Sequence, residues 1–459
     1  MTELREHTLL PTRMTWQNGH GNGHSSDAAA HSAASTAPWK RLAIRPLGLS
    51  LDQMIMLIAL SLLGFGFLMV HSADARVGPV NFQAELTHLF FSAVTIHVLL
   101  AVAAMWALSR LNYRRLIGNR LATSPATILM IVSLCLLALV LTHFGARING
   151  AKRWLEVPLG SHRLSFEPSE LAKWALVLFI AAFAVHQNAN IRSFWKGFIP
   201  LVAATGVICL PILVEDFGTA VLIGSVAVIL MLLAGCRWWH IALLLPVAAI
   251  LAYFAVWHSA YRRERLLIFL HPHLDPKGAG YNPIQSLLSF HSGGFWGRGL
   301  GNGIQKMGFL PEDSTDFIFS LIAEELGFFG CMLVISLFIA LTICGWMVVH
   351  RAKDAFGKLL AFGATATIAF QAMMNVAVVT VTVPTKGIAL PLISAGGTGW
   401  VLTAAAIGLI MSVERVNRAE PQLPHTPTGS STQRLGLYVA SPGASPALTV
   451  RPIPASEPS

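Results

Sequence analysis

The sequence predicts an all-α fold built from about ten membrane-spanning helices, and two observations carry that prediction. Of the 459 residues, 54% are hydrophobic and only 12% are charged, too apolar for a soluble chain of this length. Apolar windows of roughly 20 residues, the length a helix needs to cross about 30 Å of hydrocarbon, recur from Met54 to Met411.

Taken in order, the windows cover roughly residues 54–71, 86–108, 126–145, 171–187, 197–214, 217–235, 239–257, 317–349, 359–382 and 393–412. Glycine and proline inside several of them are tolerated because neighbouring helices re-satisfy the backbone. Residues 1–50 carry no apolar pattern and precede the first window by too much for a cleavable leader, so they read as a disordered tail. The Pro-, Ser- and Thr-rich stretch 417–459 reads the same way, which leaves 51–416 as the membrane domain. Within it, residues 258–316 form a large loop between helices seven and eight, long enough to imply a function of its own. Cys135, Cys209, Cys236, Cys331 and Cys344 all fall in or beside apolar windows, as small core hydrophobes do, and predict neither disulfides nor a zinc site.

An even number of spans puts both termini on one side. The connections on that side carry Arg110, Arg114, Arg115, Arg120, Arg192, Lys196, Arg237, Arg351, Lys353 and Lys358 against Asp354, which makes it cytoplasmic. The opposite loops, 146–170 and 258–316, are basic as well, with Lys152, Arg153, Arg262, Arg263, Arg265, Arg298 and Lys306 among their cations. An anionic ligand on the outer face explains that excess; long loops that translocate regardless of charge, touching lipid phosphates, are the alternative.

The residues able to do chemistry gather at the outer ends of the helices. In FEPSELAK, Pro168 ends a loop, Ser169 is placed to cap the fourth span, and Glu170 and Lys173 share one face of its first turn. They are either an ion pair or a substrate-facing couple. In VEDFGTA, the break between spans five and six, Asp216 is placed to cap span six or to face a polar cavity. Within the large loop, Glu264–Leu270 reads as an interfacial amphipathic helix whose arginines meet headgroups or a diphosphate. The glycines at 293, 294, 297, 299, 301 and 303 permit a close approach of backbone to ligand. Asp316 then stands where this polar loop passes into the eighth span, either as its cap or as a carboxylate catalyst at the boundary of water and hydrocarbon. Glu324 and Glu325 point about 100° apart, so one of them is expected to pair with a cation of a neighbouring span. Gln371 and Asn375 lie one turn apart in span nine, Lys386 follows in the outer loop, and Ser394, Gly396 and Gly397 suit a tight turn facing the cavity. Interhelical hydrogen bonding accounts equally well for Gln371 and Asn375.

Together NGAKRW, PSELAK, DFGTA, YRRERLLIFLHPHLDPKGAGYN, GRGLGNGIQKMGFLPEDSTDFIF, AEELG and PTKGIALPLISAGGTG resemble the SEDS family, the polytopic group that contains FtsW, RodA and SpoVE. The likeness covers Met54 to Val413, and the lysine of PTKG with the YRRERLLIFLHPHLDP string is more similar to FtsW than to RodA. It implies a peptidoglycan glycosyltransferase that polymerises lipid II into β-1,4 glycan strands at the outer leaflet of a bacterial cytoplasmic membrane. A division-septum location, a class B penicillin-binding protein as partner beside other division proteins, and dependence on Mg²⁺ or Mn²⁺ are implied too; nucleic acid is not. Asp316 matches the family's proposed catalytic aspartate, and Glu170, Lys173 and Asp216 match charged cavity positions. Glu215 stands where the family usually has proline, Ala395 where it has tyrosine, and Thr398 and Gly399 where it has serines.

On this reading Asp316 deprotonates the attacking 4-hydroxyl. Arg153, Arg262, Arg265, Lys306 or a metal meets the charge developing on the polyprenyl diphosphate. Lys152, Glu170, Lys173, Asp216, Gln371, Asn375, Lys386 and Ser394 complete the expected substrate site. The competing functions are a lipid II flippase, for which intramembrane charge and a helix break would serve, a silent division scaffold, and an elongation polymerase of the RodA kind.

Overall fold

A computed structural model describes residues 48–74, 92–148, 151–159 and 162–419. The tail expectations for 1–47 and 420–459, and the start of the second window, lie outside the described residues.

The spanning helices are α1 (Leu51–Asp74), α2 (Ala93–Arg110), α3 (Pro125–Leu141), α4 (Pro168–His186), α5 (Ile199–Glu215) and α6 (Phe217–Leu233). The chain continues with α7 (Trp238–Ala242), α8 (Leu244–Trp257), the loop helices α9 (Ala260–Leu270) and α10 (Tyr281–Gly293), and then α11 (Ile318–Arg351), α12 (Ala355–Val379) and α13 (Thr398–Ala419). Among the described residues eight helical stretches are long and apolar enough to cross a membrane, with α7 and α8 forming one of them, and the apolar α3 and α6 are shorter. Their places along the chain are those of the predicted windows, and the fold is all-α and polytopic. The helix most enclosed by protein is α4; α8 buries no residue at all and meets its surroundings through exposed Leu, Ile, Phe and Trp, as a lipid-facing helix does.

Local chemistry explains several ends. Ser124 accepts the N–H of Thr127 and Pro125 fills the first position of α3, where no N–H is needed. Asp216 alone separates α5 from α6 and caps the second through the Thr219 N–H at 3.1 Å, as its sequence position predicts. Ser169 does not cap α4. Glu167 holds the cap position, with Pro168 in the first turn, and the Ser169 hydroxyl turns back to donate to Glu167 Oε1 at 2.6 Å.

Two features depart from the helical reading. The loop before α4 folds into an antiparallel sheet of β1 (Gly145–Ile148), β2 (Ala151–Leu159) and β3 (His162–Phe166), in that spatial order. And α11 is two helices: Gly327, at φ 67° and ψ −160°, breaks it after Leu326. Only glycine takes that conformation cheaply, and a Cβ there would strike the Gly297 nitrogen and the Phe295 carbonyl.

That break recruits the glycine-rich loop. The carbonyls of Glu324 and Glu325, left without helical partners, accept the N–H groups of Arg298 and Gly299 at 3.0 and 2.9 Å. Their side chains take more of the same loop: Glu325 accepts from Gly301 and Gly303, and Glu324 from Ile304 and Gln305. The loop therefore lies on the protein's own carboxylates. The cation that pairs with Glu325 is Lys306, at 3.1 Å, which comes from this loop and not from a neighbouring span.

Candidate functional site

Asp316 lies half-buried in the turn before α11. It does not cap the helix, because Phe317 holds that position and no side chain bonds the first turn. Its carbonyl accepts Asn375 Nδ2 at 2.9 Å. Its carboxylate rests against Gly387, where a Cβ would stand 2.5 Å from Oδ2. Among the described residues that carboxylate has neither hydrogen bond nor ion pair. Burial, then the nearby Glu312 and Asp216 carboxylates, push its pKa from 3.8 up to about 7, against the pull of Arg153 and Arg265.

Thr385 to Ala389 organises what surrounds it, each residue meeting a different partner. The Thr385 carbonyl accepts Arg265 Nη1 at 3.0 Å. Lys386 places its ammonium 4.0 Å from the centre of the Phe217 ring, beside Asp216. Gly387 makes room for the Asp316 carboxylate. The carbonyls of Ile388 and Ala389 accept Asn375 Nδ2 at 2.7 Å and Gln371 Nε2 at 2.9 Å. Gln371 carries the network on to Lys173 Nζ at 2.7 Å, and Lys173 holds both oxygens of Glu170 at 2.9 Å. Gln371 thus braces α12 against α4 and this segment, and Asn375 braces it against this segment and the turn before α11. Burial pulls the Lys386 ammonium below its usual pKa, with Arg262 adding to the fall and Asp216 opposing it.

The far wall is the break between α5 and α6. Arg153, reaching over from β2, pairs with Asp216 Oδ2 at 3.1 Å and donates to the Glu215 carbonyl at 2.7 Å. Arg262 on α9 donates to the carbonyls of Leu213 at 3.0 Å and Val214 at 2.8 Å. A helix that stops at Glu215 strands its last carbonyls, and the two arginines satisfy them. Arg262, expected to meet the ligand, here places Nη2 on that helix end and Nη1 on the Ala255 carbonyl at 3.1 Å. A cleft beside this wall is lined by the apolar Leu137, Leu141 and Pro211 and by the charged Lys152, Arg153 and Asp216.

Glu167, which the sequence reading passed over, completes the cluster. Burial, with Glu170 and Asp216 adding to it, raises its pKa to about 8 against the Ser169 hydrogen bond and Arg153. Its backbone N–H meets the Thr398 hydroxyl at 3.3 Å, and a Cβ on Gly399 would face Glu170 at 3.7 Å, so the two replaced serines lie at this wall. Its one sequence signal is an acid beside a proline at a helix start.

Two expected members are turned into the protein. Lys306 is 2% exposed at its side chain, paired with Glu325 and bonded to the Ser72 carbonyl at 2.8 Å, so it is a structural cation and no wall of this site. Ser394, 1% exposed, accepts the Leu390 N–H at 2.6 Å and closes the turn ahead of α13.

The arrangement offers a carboxylate of raised basicity, unpartnered among the described residues, with cations around it, and a cleft at the neighbouring Arg153–Asp216 pair. A family model described as cell cycle protein, of FtsW, RodA and SpoVE, matches residues 52–419. The chain is 36% identical over 371 residues to the probable peptidoglycan glycosyltransferase FtsW of Geobacter metallireducens, covering 81% of this chain and 96% of that one. It is 33% identical over 375 residues to the protein of the same name from Idiomarina loihiensis, covering 80% and 88%. Among solved structures it is similar to a chain reported under "Structural coordination of polymerization and crosslinking by a peptidoglycan synthase complex", with TM-score 0.63 and 27% identity over 80% of this chain and 98% of that one. The rod shape determining protein RodA of Thermus thermophilus shares the fold, with TM-score 0.56 and 24% identity over 80% and 97%.

Proposed function

The chain belongs to the cell cycle protein family of FtsW, RodA and SpoVE, and on that premise we propose that it polymerises lipid II as a peptidoglycan glycosyltransferase, with Asp316 as its general base. The observation that carries this reading is the Asp316 carboxylate: half-buried, without a partner among the described residues, and of a basicity suited to work near neutral pH.

The 4-hydroxyl of one lipid II gives its proton to Asp316 as its oxygen attacks the anomeric carbon of a second, polyprenyl-linked chain. The bond to the diphosphate breaks and that group leaves with the electron pair. Direct displacement inverts the anomeric carbon. Arg153, Arg265 and Lys386 stand where positive charge lowers the cost of the departing diphosphate.

A divalent cation fits this site best as a companion of the substrate, held by phosphate oxygens. Among the described residues no three His, Cys, Asp or Glu gather around one point, and Asp216 and Glu170 are each paired with a cation. A Mg²⁺ or Mn²⁺ requirement belongs, on this reading, to the substrate's diphosphate. Both termini are cytoplasmic, the site opens outward at the division septum, and a class B penicillin-binding protein crosslinks the product beside other division proteins. The basic loops at the inner helix ends support that orientation.

Purified protein with such a partner, lipid II and Mn²⁺ is expected to make glycan strands, and Asp316→Asn to abolish them while partner binding persists. Full activity in that variant would sink the base assignment, and lipid scrambling without polymer would favour a flippase.

A further inference from the structure

We propose that Glu215 is a positioning residue for Arg153: its side chain and its backbone together fix the guanidinium at the charged end of the cleft. The proposal rests on the reading above that Arg153 meets the substrate's diphosphate.

The geometry starts from an exposed strand edge. Pairing of β3 with β2 begins at Leu155, so the part of β2 before it lacks β3 along that edge. The Lys152 N–H there donates to Glu215 Oε2 at 3.0 Å, and the carboxylate stands in for the missing strand. The next residue, Arg153, then lies over the end of α5, where Nη2 meets the Glu215 carbonyl at 2.7 Å and Nη1 meets Asp216 at 3.1 Å. Glu215 thus grips consecutive residues of β2, one through its side chain and one through its carbonyl. Lys152 closes the strap by donating from Nζ to the Thr142 carbonyl at 3.3 Å, just past the end of α3.

A guanidinium on a long side chain loses rotamer freedom when it binds, and anchoring its backbone removes part of that cost beforehand. Without the carboxylate the Lys152 N–H turns to water, the strand is free to lift, and Arg153 no longer reaches both acceptors at once. The Arg153–Asp216 contact then forms only part of the time. Glu215 touches no reacting atom; it acts through Arg153.

The test is a double-mutant cycle on the full chain, read as binding of undecaprenyl diphosphate in detergent micelles and as kcat and KM for lipid II polymerisation. Glu215→Ala is expected to weaken binding about tenfold and to lower kcat/KM by a similar factor, the size of one lost hydrogen bond to a charged group. Glu215→Gln, which keeps an acceptor oxygen, stays within about twofold of the parent. In the Arg153→Ala background the Glu215→Ala loss shrinks to less than about twofold, because the residue it positions is gone. Glu215→Asp withdraws the oxygen while keeping the charge, and its loss, also confined to protein that retains Arg153, serves if the alanine variant does not fold. Equal losses in both backgrounds, or no loss with Arg153 present, overturn the proposal, as does a parent protein that binds no undecaprenyl diphosphate. A parent that binds the lipid but makes no glycan removes the polymerase reading and leaves the binding cycle to decide this one.

Discussion

Asn375 Nδ2 donates to the Asp316 carbonyl at 2.9 Å and, with its other hydrogen, to the Ile388 carbonyl at 2.7 Å. One amide thereby ties the turn carrying the proposed base to the segment whose Gly387 receives its carboxylate. Asn375 is fully buried, so Asn375→Leu leaves both acceptors with no replacement donor. A buried acceptor stripped of its donor costs about 1–3 kcal/mol, so we expect a clear fall in unfolding temperature and a larger one in polymerisation. An unchanged rate in the leucine variant would show that the tie does not hold the base.

Gly387 has no room to gain a carbon. A Cβ at that position would lie 2.5 Å from Asp316 Oδ2, and the Asp316 backbone is held in place by Asn375. In Gly387→Ala the carboxylate must rotate away from its present seat. Displacing a catalytic group by about 1 Å costs about a hundredfold in rate, and that is the expected drop in kcat, with thermal stability little changed. Activity within a few-fold of the parent would mean that the carboxylate works from another position.

The charge-bearing corners of the site were legible in the sequence because each occupies a helix end, where polar residues interrupt long apolar runs: Asp216, Asp316, and Glu170 with Lys173. What each side chain meets was not legible. Arg262 reads as a phosphate ligand until α9 is seen to deliver it to the carbonyls of Leu213 and Val214. The glycine loop reads as a ligand cradle until the break at Gly327 turns Glu324 and Glu325 toward it. The spans were visible by hydropathy, whereas the three strands, set between helices, were hidden by their mixed polarity.

The raised pKa of Asp316 makes opposite predictions for rate and for stability. As a base it must be ionised, so kcat/KM is expected to climb with pH through about 7 and to lose roughly nine-tenths of its plateau one unit below. For stability the sign reverses. A carboxyl whose folded pKa lies above its ordinary 3.8 favours the folded state while protonated; that contribution is complete below 3.8 and is lost as pH rises through about 7. Asp316→Asn is therefore expected to unfold at a higher temperature than the parent at pH 8 and at the same temperature near pH 4. Melting curves of the two proteins across that range decide it, and a variant less stable at pH 8 refutes the burial argument.

Lys306 is predicted to matter for folding before catalysis. Its ammonium and the Glu325 carboxylate are 3.1 Å apart, with side-chain exposures of 2% and 0%. Lys306→Met leaves Glu325 charged and buried, supported among the described residues by the Ser72 hydroxyl and the N–H groups of Gly301 and Gly303. Removing one partner of a buried pair costs about 3–5 kcal/mol, and those donors hold the expected loss near the lower end. Replacing both partners, as Lys306→Met with Glu325→Gln, removes the stranded charge and should recover much of the stability. In a polymerase assay the single variant is expected to lose active protein while the molecules that remain folded keep their KM for lipid II. A raised KM with unchanged stability would instead return Lys306 to the substrate site.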